Sequence, residues 1–67
     1  MEIILNNQSK EIREQCSLQQ MLNDMLGEKQ KGVAVAVNNN VVPKTSWSNH
    51  QLTHKDNVLI IKATQGG

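Results

Sequence analysis

The sequence contains no phenylalanine and no tyrosine, so Trp47 is the one aromatic side chain among its 67 residues. A chain of this length buries only about 60% of the surface that its unfolded form exposes. Its core must therefore be small and built from Leu, Ile, Val and Met. The composition predicts one domain. We do not expect an enzyme with its own enclosed active site.

The sequence also lacks an excess of charge, because seven basic side chains stand against six acidic ones. A nucleic-acid binder that relies on neutralising phosphates is not expected from this balance. No apolar run approaches the roughly 20 residues of a membrane span, and the first ten residues lack the features of a secretion signal. The one cysteine, Cys16, cannot form an internal disulfide. We therefore expect a cytoplasmic protein without a membrane partner.

The first half of the sequence predicts a β-hairpin followed by an amphipathic helix. The strands are predicted at residues 2–6 and 10–15, joined by a polar turn. Ser17 and Gln20 have the spacing of a capping box at a helix start, and Gly27 is placed to end the helix in a left-handed conformation. Between them the apolar residues recur with helical spacing at Leu18, Met21, Leu22, Met25 and Leu26.

The second half predicts strands with one more short helical turn. Valine and alanine alternate over residues 33–37, a turn is expected at 38–40, and a short strand follows at 41–42. Thr45 is a candidate cap for a helical turn around Trp47. The last strand is predicted at 58–64. The predicted fold class is α+β, with four to five strands in a mixed sheet and one main helix packed on one face.

Three apolar side chains are expected on the face of the sheet opposite the helix. If Val58 and Ile60 point toward the helix, Leu59 and Ile61 must point away from it, because side chains alternate along a strand. The same argument applies to Ile4. One helix of about nine residues cannot cover both faces of the sheet. These three residues are candidates for a partner surface, although scattered exposed apolar residues are also normal.

The side chains that could carry chemistry do not form a recognisable catalytic or metal-binding set. His50 and His54 are four residues apart, but they lie in a polar loop without further ligands of suitable spacing, so exposed loop histidines are expected and no metal site is predicted. Cys16 precedes the helix without an evident general base, so we interpret it as a small half-buried residue. Trp47 is expected to be a packing residue.

The two glycines at the end of the sequence, Gly66 and Gly67, are the strongest functional signal. Glycine removes every Cβ next to the α-carboxylate, so the backbone can enter a narrow channel in another protein. A carboxylate becomes an acyl donor once it is activated, for example by adenylation. The alternative is a frayed polar tail. The first interpretation predicts a carrier whose reactive group is its own terminal carboxylate.

Together these features resemble the ThiS family, the sulfur carriers of thiamin biosynthesis, which have the ubiquitin-like β-grasp fold. The resemblance rests on the VLIIKATQGG ending and on the pattern formed by Asn38, Val42, Pro43 and Trp47. It implies a β-grasp domain at residues 1–64 and a flexible diglycine tail at 65–67. Two departures are Lys55, where such carriers often have Gly in a tight turn, and the polar Gln65.

The resemblance also implies a function and a set of partners. A ThiF-type adenylating enzyme would use ATP to adenylate the carboxylate of Gly67, and sulfur drawn from a cysteine desulfurase system would convert it to a thiocarboxylate. Thiazole synthase would then take the sulfur. Gly66 and Gly67 would enter both partners' active sites, and Leu59 and Ile61 would correspond to the exposed patch that ubiquitin-like proteins offer their activating enzymes. With Ile4, from the alternation argument above, they are the candidate partner patch. No cofactor bound to this chain is implied.

Three alternatives remain open from the sequence. A molybdopterin-synthase small subunit also forms a thiocarboxylate, but it is typically longer and richer in Phe. A ubiquitin-like protein modifier also ends in diglycine. A plain interaction domain with an accidental diglycine is the third.

Overall fold

The computed structural model describes residues 1–62 and shows a five-stranded mixed sheet with one α-helix. The strand order is β2-β1-β5-β3-β4, in which β1 and β5 are parallel and the other neighbours are antiparallel. This confirms the predicted α+β class and the β-grasp architecture. The predicted boundary at residue 64, the end of the last strand and the tail at 65–67 lie outside the described residues. The elements are β1 Glu2–Leu5, β2 Gln8–Glu11, α1 Leu18–Leu26, β3 Val33–Val37, β4 Asn40–Val41, a 3₁₀ helix Lys44–Asn49 and β5 Asn57–Lys62.

Each β-hairpin turns on two asparagines with positive φ, and these turns explain two shifted strand boundaries. Asn6 and Asn7 have φ of 47° and 70°, and the loop of residues 38–39 has φ of 51° and 70°. A two-residue hairpin loop with both φ positive is favoured because its twist matches the twist of the strands, and asparagine tolerates that conformation. The strand predicted at 10–15 therefore begins earlier, at Gln8, and ends at Glu11. The strand predicted at 41–42 is likewise found at Asn40–Val41.

The helix begins as predicted, and it ends at Gly27 with a different backbone conformation. The Gln20 N–H donates to Ser17 Oγ at 3.1 Å, and the Ser17 N–H donates to Gln20 Oε1 at 2.9 Å, which completes the capping box. Gly27 has φ of +56°, but its ψ of −118° lies outside the left-handed helical region that was predicted. In the observed conformation the Gly27 carbonyl accepts a 2.7 Å hydrogen bond from the side chain of Gln30.

The core lies between α1 and one face of the sheet, and the 3₁₀ helix closes its edge. Trp47 is buried as predicted, and its Nε1–H donates to the Val42 carbonyl at 2.9 Å. The prediction that Thr45 caps this helical turn is wrong. Pro43 precedes the helix in an extended conformation, and no side chain caps it. The core side chains are Ile3, Leu5, Cys16, Leu18, Met21, Leu22, Val35, Val37, Val42, Trp47, Leu52 and Val58.

Candidate functional site

The sheet face opposite α1, called the open face below, carries the three apolar residues that were predicted there. Leu59 and Ile61 are 43% and 54% exposed, and Ile4 is half-buried. Their neighbours along the chain, such as Ile3 and Val58, are completely buried on the helix side. This alternation follows from the two-residue period of a β-strand.

Strand register brings three further small apolar side chains beside them. Ala36 is paired with Leu59, and Ala34 is paired with Ile61. Val41 is paired with Ala36 and is 75% exposed. Paired residues point to the same face of a sheet. We therefore define the open-face patch as the set Ile4, Ala34, Ala36, Val41, Leu59 and Ile61.

Sequence reasoning missed half of this patch. Alternation along residues 33–37 placed the valines on one face and so implied that Ala34 and Ala36 lie on the other. Val41 precedes Val42, which is buried, and so lies on the opposite face of the sheet. Which of the two valines is buried depends on the length of the turn at Asn38 and Asn39, and hydrophobic patterning does not determine that length.

Two residues of the open-face patch lie on β5, the last strand before the diglycine in the sequence. β5 is the central strand, between β1 and β3, and it contributes both Leu59 and Ile61. The predicted tail residues, Gly66 and Gly67, lie outside the described residues. Covalent geometry limits the five residues after Lys62 to a reach of about 18 Å. A protein that binds this part of the open face therefore has the C-terminal carboxylate within reach.

Asn38, the first residue of the pattern noted in the sequence, has a structural role, because its side chain fixes the start of β5. The Asn38 side chain donates to Asp56 Oδ1 at 3.0 Å and accepts from the Asn57 N–H at 2.9 Å. Asp56 also accepts from the N–H and the hydroxyl of Thr53, at 2.8 and 2.9 Å. Burial raises the pKa of the Asp56 carboxyl, but these donors outweigh burial and hold that pKa below its ordinary value.

Lys55 adopts the left-handed conformation that favours glycine. Its φ is +73°, and its N–H donates to the Glu2 carbonyl at 2.6 Å. Its Nζ also lies 2.6 Å from Glu2 Oε1. The Lys55 ammonium, followed by the Ser9 hydroxyl, lowers the pKa of the Glu2 carboxyl. The departure from glycine is thus accommodated by contacts between this turn and β1.

The other reactive side chains are engaged in the fold. His54 is exposed and its Nδ1 accepts from the Glu2 N–H at 3.1 Å, whereas His50 is half-buried rather than exposed as predicted. Cys16 is only 1% exposed, so it is more deeply buried than predicted. Residues 1–62 contain no group of three or more His, Cys, Asp or Glu side chains placed to hold a metal ion. Across the same residues, no helix has the length and apolar character to cross a membrane.

Comparisons with known proteins agree with the resemblance drawn from the sequence. The model of the ThiS family matches residues 3–67. The sulfur carrier protein ThiS of Escherichia coli strain K12 is 30% identical, and the alignment covers 100% of both chains. The crystal structure of the thiamine biosynthesis protein ThiS from Geobacter metallireducens is 17% identical and has a TM-score of 0.87, with 100% of both chains covered. This structural likeness concerns the fold, and the family match extends through Gly66 and Gly67.

Proposed function

The chain belongs to the ThiS family, and from this membership we propose that it is a sulfur carrier loaded at the carboxylate of Gly67. The observation that carries the proposal is that the family match extends through the terminal diglycine. The exposed apolar residues Leu59 and Ile61, on the last strand before the diglycine, support it. In this scheme the protein is a substrate and a carrier rather than an enzyme.

The proposed chemistry takes place at the terminal carboxyl carbon. A ThiF-type enzyme joins a carboxylate oxygen to the α-phosphorus of ATP and releases pyrophosphate. Sulfur at the oxidation level of sulfide then attacks the carbonyl carbon, and AMP leaves as the C–S bond forms. On thiazole synthase this sulfur passes to the thiazole precursor, the C–S bond to the carrier breaks, and an oxygen atom from the precursor or from water takes its place, which restores the carboxylate. Gly66 and Gly67 place no Cβ near the reacting carbon, which suits a narrow active site.

The open-face patch is the proposed docking surface for the activating enzyme. An exposed apolar surface of this kind is typical of a protein-binding site, and the strand that bears Leu59 and Ile61 ends at Lys62, five residues before Gly67 in the sequence. Binding at the patch would position Gly67 without any pocket in the carrier itself. The activating enzyme would then bind the domain of residues 1–64, and residues 65–67 would enter the active site of that enzyme.

The proposal is tested first by ATP–pyrophosphate exchange with a purified ThiF-type enzyme. We expect exchange to depend on this chain and to be lost when Gly67 is deleted. Exchange that persists at the full rate without Gly67 would contradict loading at that carboxylate.

Expression in a strain that requires thiazole tests the pathway. Growth rescue supports the thiamin assignment. Exchange without rescue would place the carrier in another pathway, such as molybdopterin synthesis or protein modification. The absence of both would favour an interaction domain with an accidental diglycine.

A further inference from the structure

Within the part of the chain that the structure describes, the edge strand β2 presents backbone groups that no neighbouring strand uses. β2 pairs with β1 on one side, with Leu5 opposite Gln8 next to the two-residue turn. Hydrogen-bonded and non-hydrogen-bonded pairs alternate along an antiparallel ladder. The N–H and C=O groups of Ser9 and Glu11 therefore point away from β1. These four groups form an open edge to which another strand can be added.

A groove runs between this edge and the helix. Its larger part has a volume of about 510 Å³ and its smaller part about 160 Å³, and both are lined by Lys10 and Met25. The buried side chains of Met21 and Cys16 line its inner side. Met25 is 38% exposed on the helix wall. An added strand would thus place alternate side chains over the methionine side chains of the groove, between its charged residues.

The charged side chains that line the groove are Lys10, Glu11, Arg13 and Asp24. Glu11 pairs with the Met1 ammonium at 3.5 Å, so Lys10 is the charge that favours an acidic occupant. Lys10 shares the face of Ile3, its partner in the ladder, and makes no ion pair within residues 1–62. Arg13 pairs with Asp24 across the end of the groove at 3.1 Å, with both side chains more than half exposed. Exposed pairs of this kind contribute little to stability. Arg13 and Asp24 therefore balance one another, and Lys10 is the lining charge left to pair with a carboxylate of a ligand.

A second copy of this chain is disfavoured as the occupant. In the antiparallel register that uses all four free groups of Ser9 and Glu11, Lys10 would lie directly opposite Lys10 of the other copy. Like charges directly opposite one another destabilise strand pairing. A lysine on an edge strand is also a common means of preventing self-association.

We propose that β2 and this groove bind an extended segment of a partner protein by strand addition. The groove-facing side chains of that segment are an acidic residue opposite Lys10, flanked by aliphatic residues opposite Gln8 and Ile12. The main-chain groups of Ser9 and Glu11 supply binding energy, and the side-chain positions supply specificity. This surface is distinct from the open-face patch, because Lys10 and Met25 lie on the helix side of the sheet.

The test is a titration of the ¹⁵N-labelled full chain with a blocked peptide of sequence TVTDTIT, followed by amide chemical shifts. Its alternate residues place Asp between Val and Ile on one face. We expect shift changes centred on β2 and the Met25 turn of α1. The matched peptide TVTKTIT should bind at least tenfold more weakly. The Lys10→Glu variant, changed at an exposed position, should reverse that preference.

Two further variants test the backbone contribution and the location. Ser9→Pro removes an outward N–H while leaving the ladder to β1 intact, so it should weaken TVTDTIT binding about tenfold. Met25→Asp should weaken it to a similar extent. The proposal is overturned if no shifts appear at millimolar peptide, if they centre on the open face, or if Lys10→Glu leaves the preference unchanged. Dimerisation of the free chain through β2 would also overturn it.

Discussion

Replacement of Ile61 by aspartate should impair adenylation without unfolding the protein. Ile61 is 54% exposed on the open face and contacts the rest of the sheet with the remainder of its side chain. A carboxylate at this position points to solvent in the free protein and is hydrated. In a complex that covers the open-face patch, the same carboxylate loses its water without gaining a partner.

The expected magnitude has two parts. Full burial of an isoleucine side chain is worth about 1.5–3 kcal/mol, so the exposed half of Ile61 contributes about 1 kcal/mol when a partner covers it. An unpaired charge in the interface costs about 2 kcal/mol more. The sum of about 3 kcal/mol corresponds to a decrease of about 100-fold in kcat/KM. Ile61→Thr keeps a β-branched side chain and adds no charge, so about a fivefold decrease is expected.

The assay is pyrophosphate exchange at subsaturating carrier, with circular dichroism to verify folding. Met25→Asp is the matched control, because it introduces the same charge at another exposed apolar residue, on the helix. It should leave exchange unchanged, whereas Ile61→Asp should leave TVTDTIT binding unchanged. A folded Ile61→Asp variant with the wild-type kcat/KM would refute the assignment of the open-face patch, as would equal losses in both variants.

Three further predictions concern the fold that presents the tail. At φ of +73°, Lys55→Gly should be more stable than Lys55→Ala by about 1 kcal/mol in urea denaturation, since glycine alone adopts this conformation without strain; equal stabilities would contradict this. Asp56 has a lowered pKa in the folded state, so its stabilising contribution is present above the ordinary value of about 3.8 and is lost as pH falls through the lower folded pKa. Asp56→Asn should therefore cost about 1–3 kcal/mol at pH 7 and show a weaker acid dependence of unfolding; an unchanged profile would argue against the role of this carboxylate. Trp47→Phe removes the donor to the Val42 carbonyl and should cost about 1–3 kcal/mol, measured by circular dichroism in urea; unchanged stability would show that the carbonyl finds another partner.

Features set by neighbouring residues could be predicted from the sequence. The capping box of Ser17 and Gln20 depends on contacts three residues apart, and it is present in the structure. The exposure of Leu59 and Ile61 follows from alternation within one strand, so it needed no knowledge of strand order. The sheet face that the helix covers could be predicted too, because the segment that forms α1 is the long amphipathic segment of the sequence.

Features set by pairing between distant segments could not be predicted in this way. The strand boundaries at Gln8 and Asn40 depend on how many asparagines each turn uses, and hydrophobic patterning does not determine that number. Val41 joins the open-face patch through its register with Ala36. The groove beside Lys10 exists because β2 is an edge strand that the helix does not cover, which is a property of the strand order.

The most direct test of the central claim is the intact mass of the chain after incubation with a ThiF-type enzyme, ATP and a sulfide source, followed by fragmentation. We expect replacement of one oxygen by sulfur, located at Gly67, dependent on ATP and unaffected by Cys16→Ser. Gain of a whole sulfur atom at Cys16, or sulfur incorporation that persists without Gly67, would contradict it.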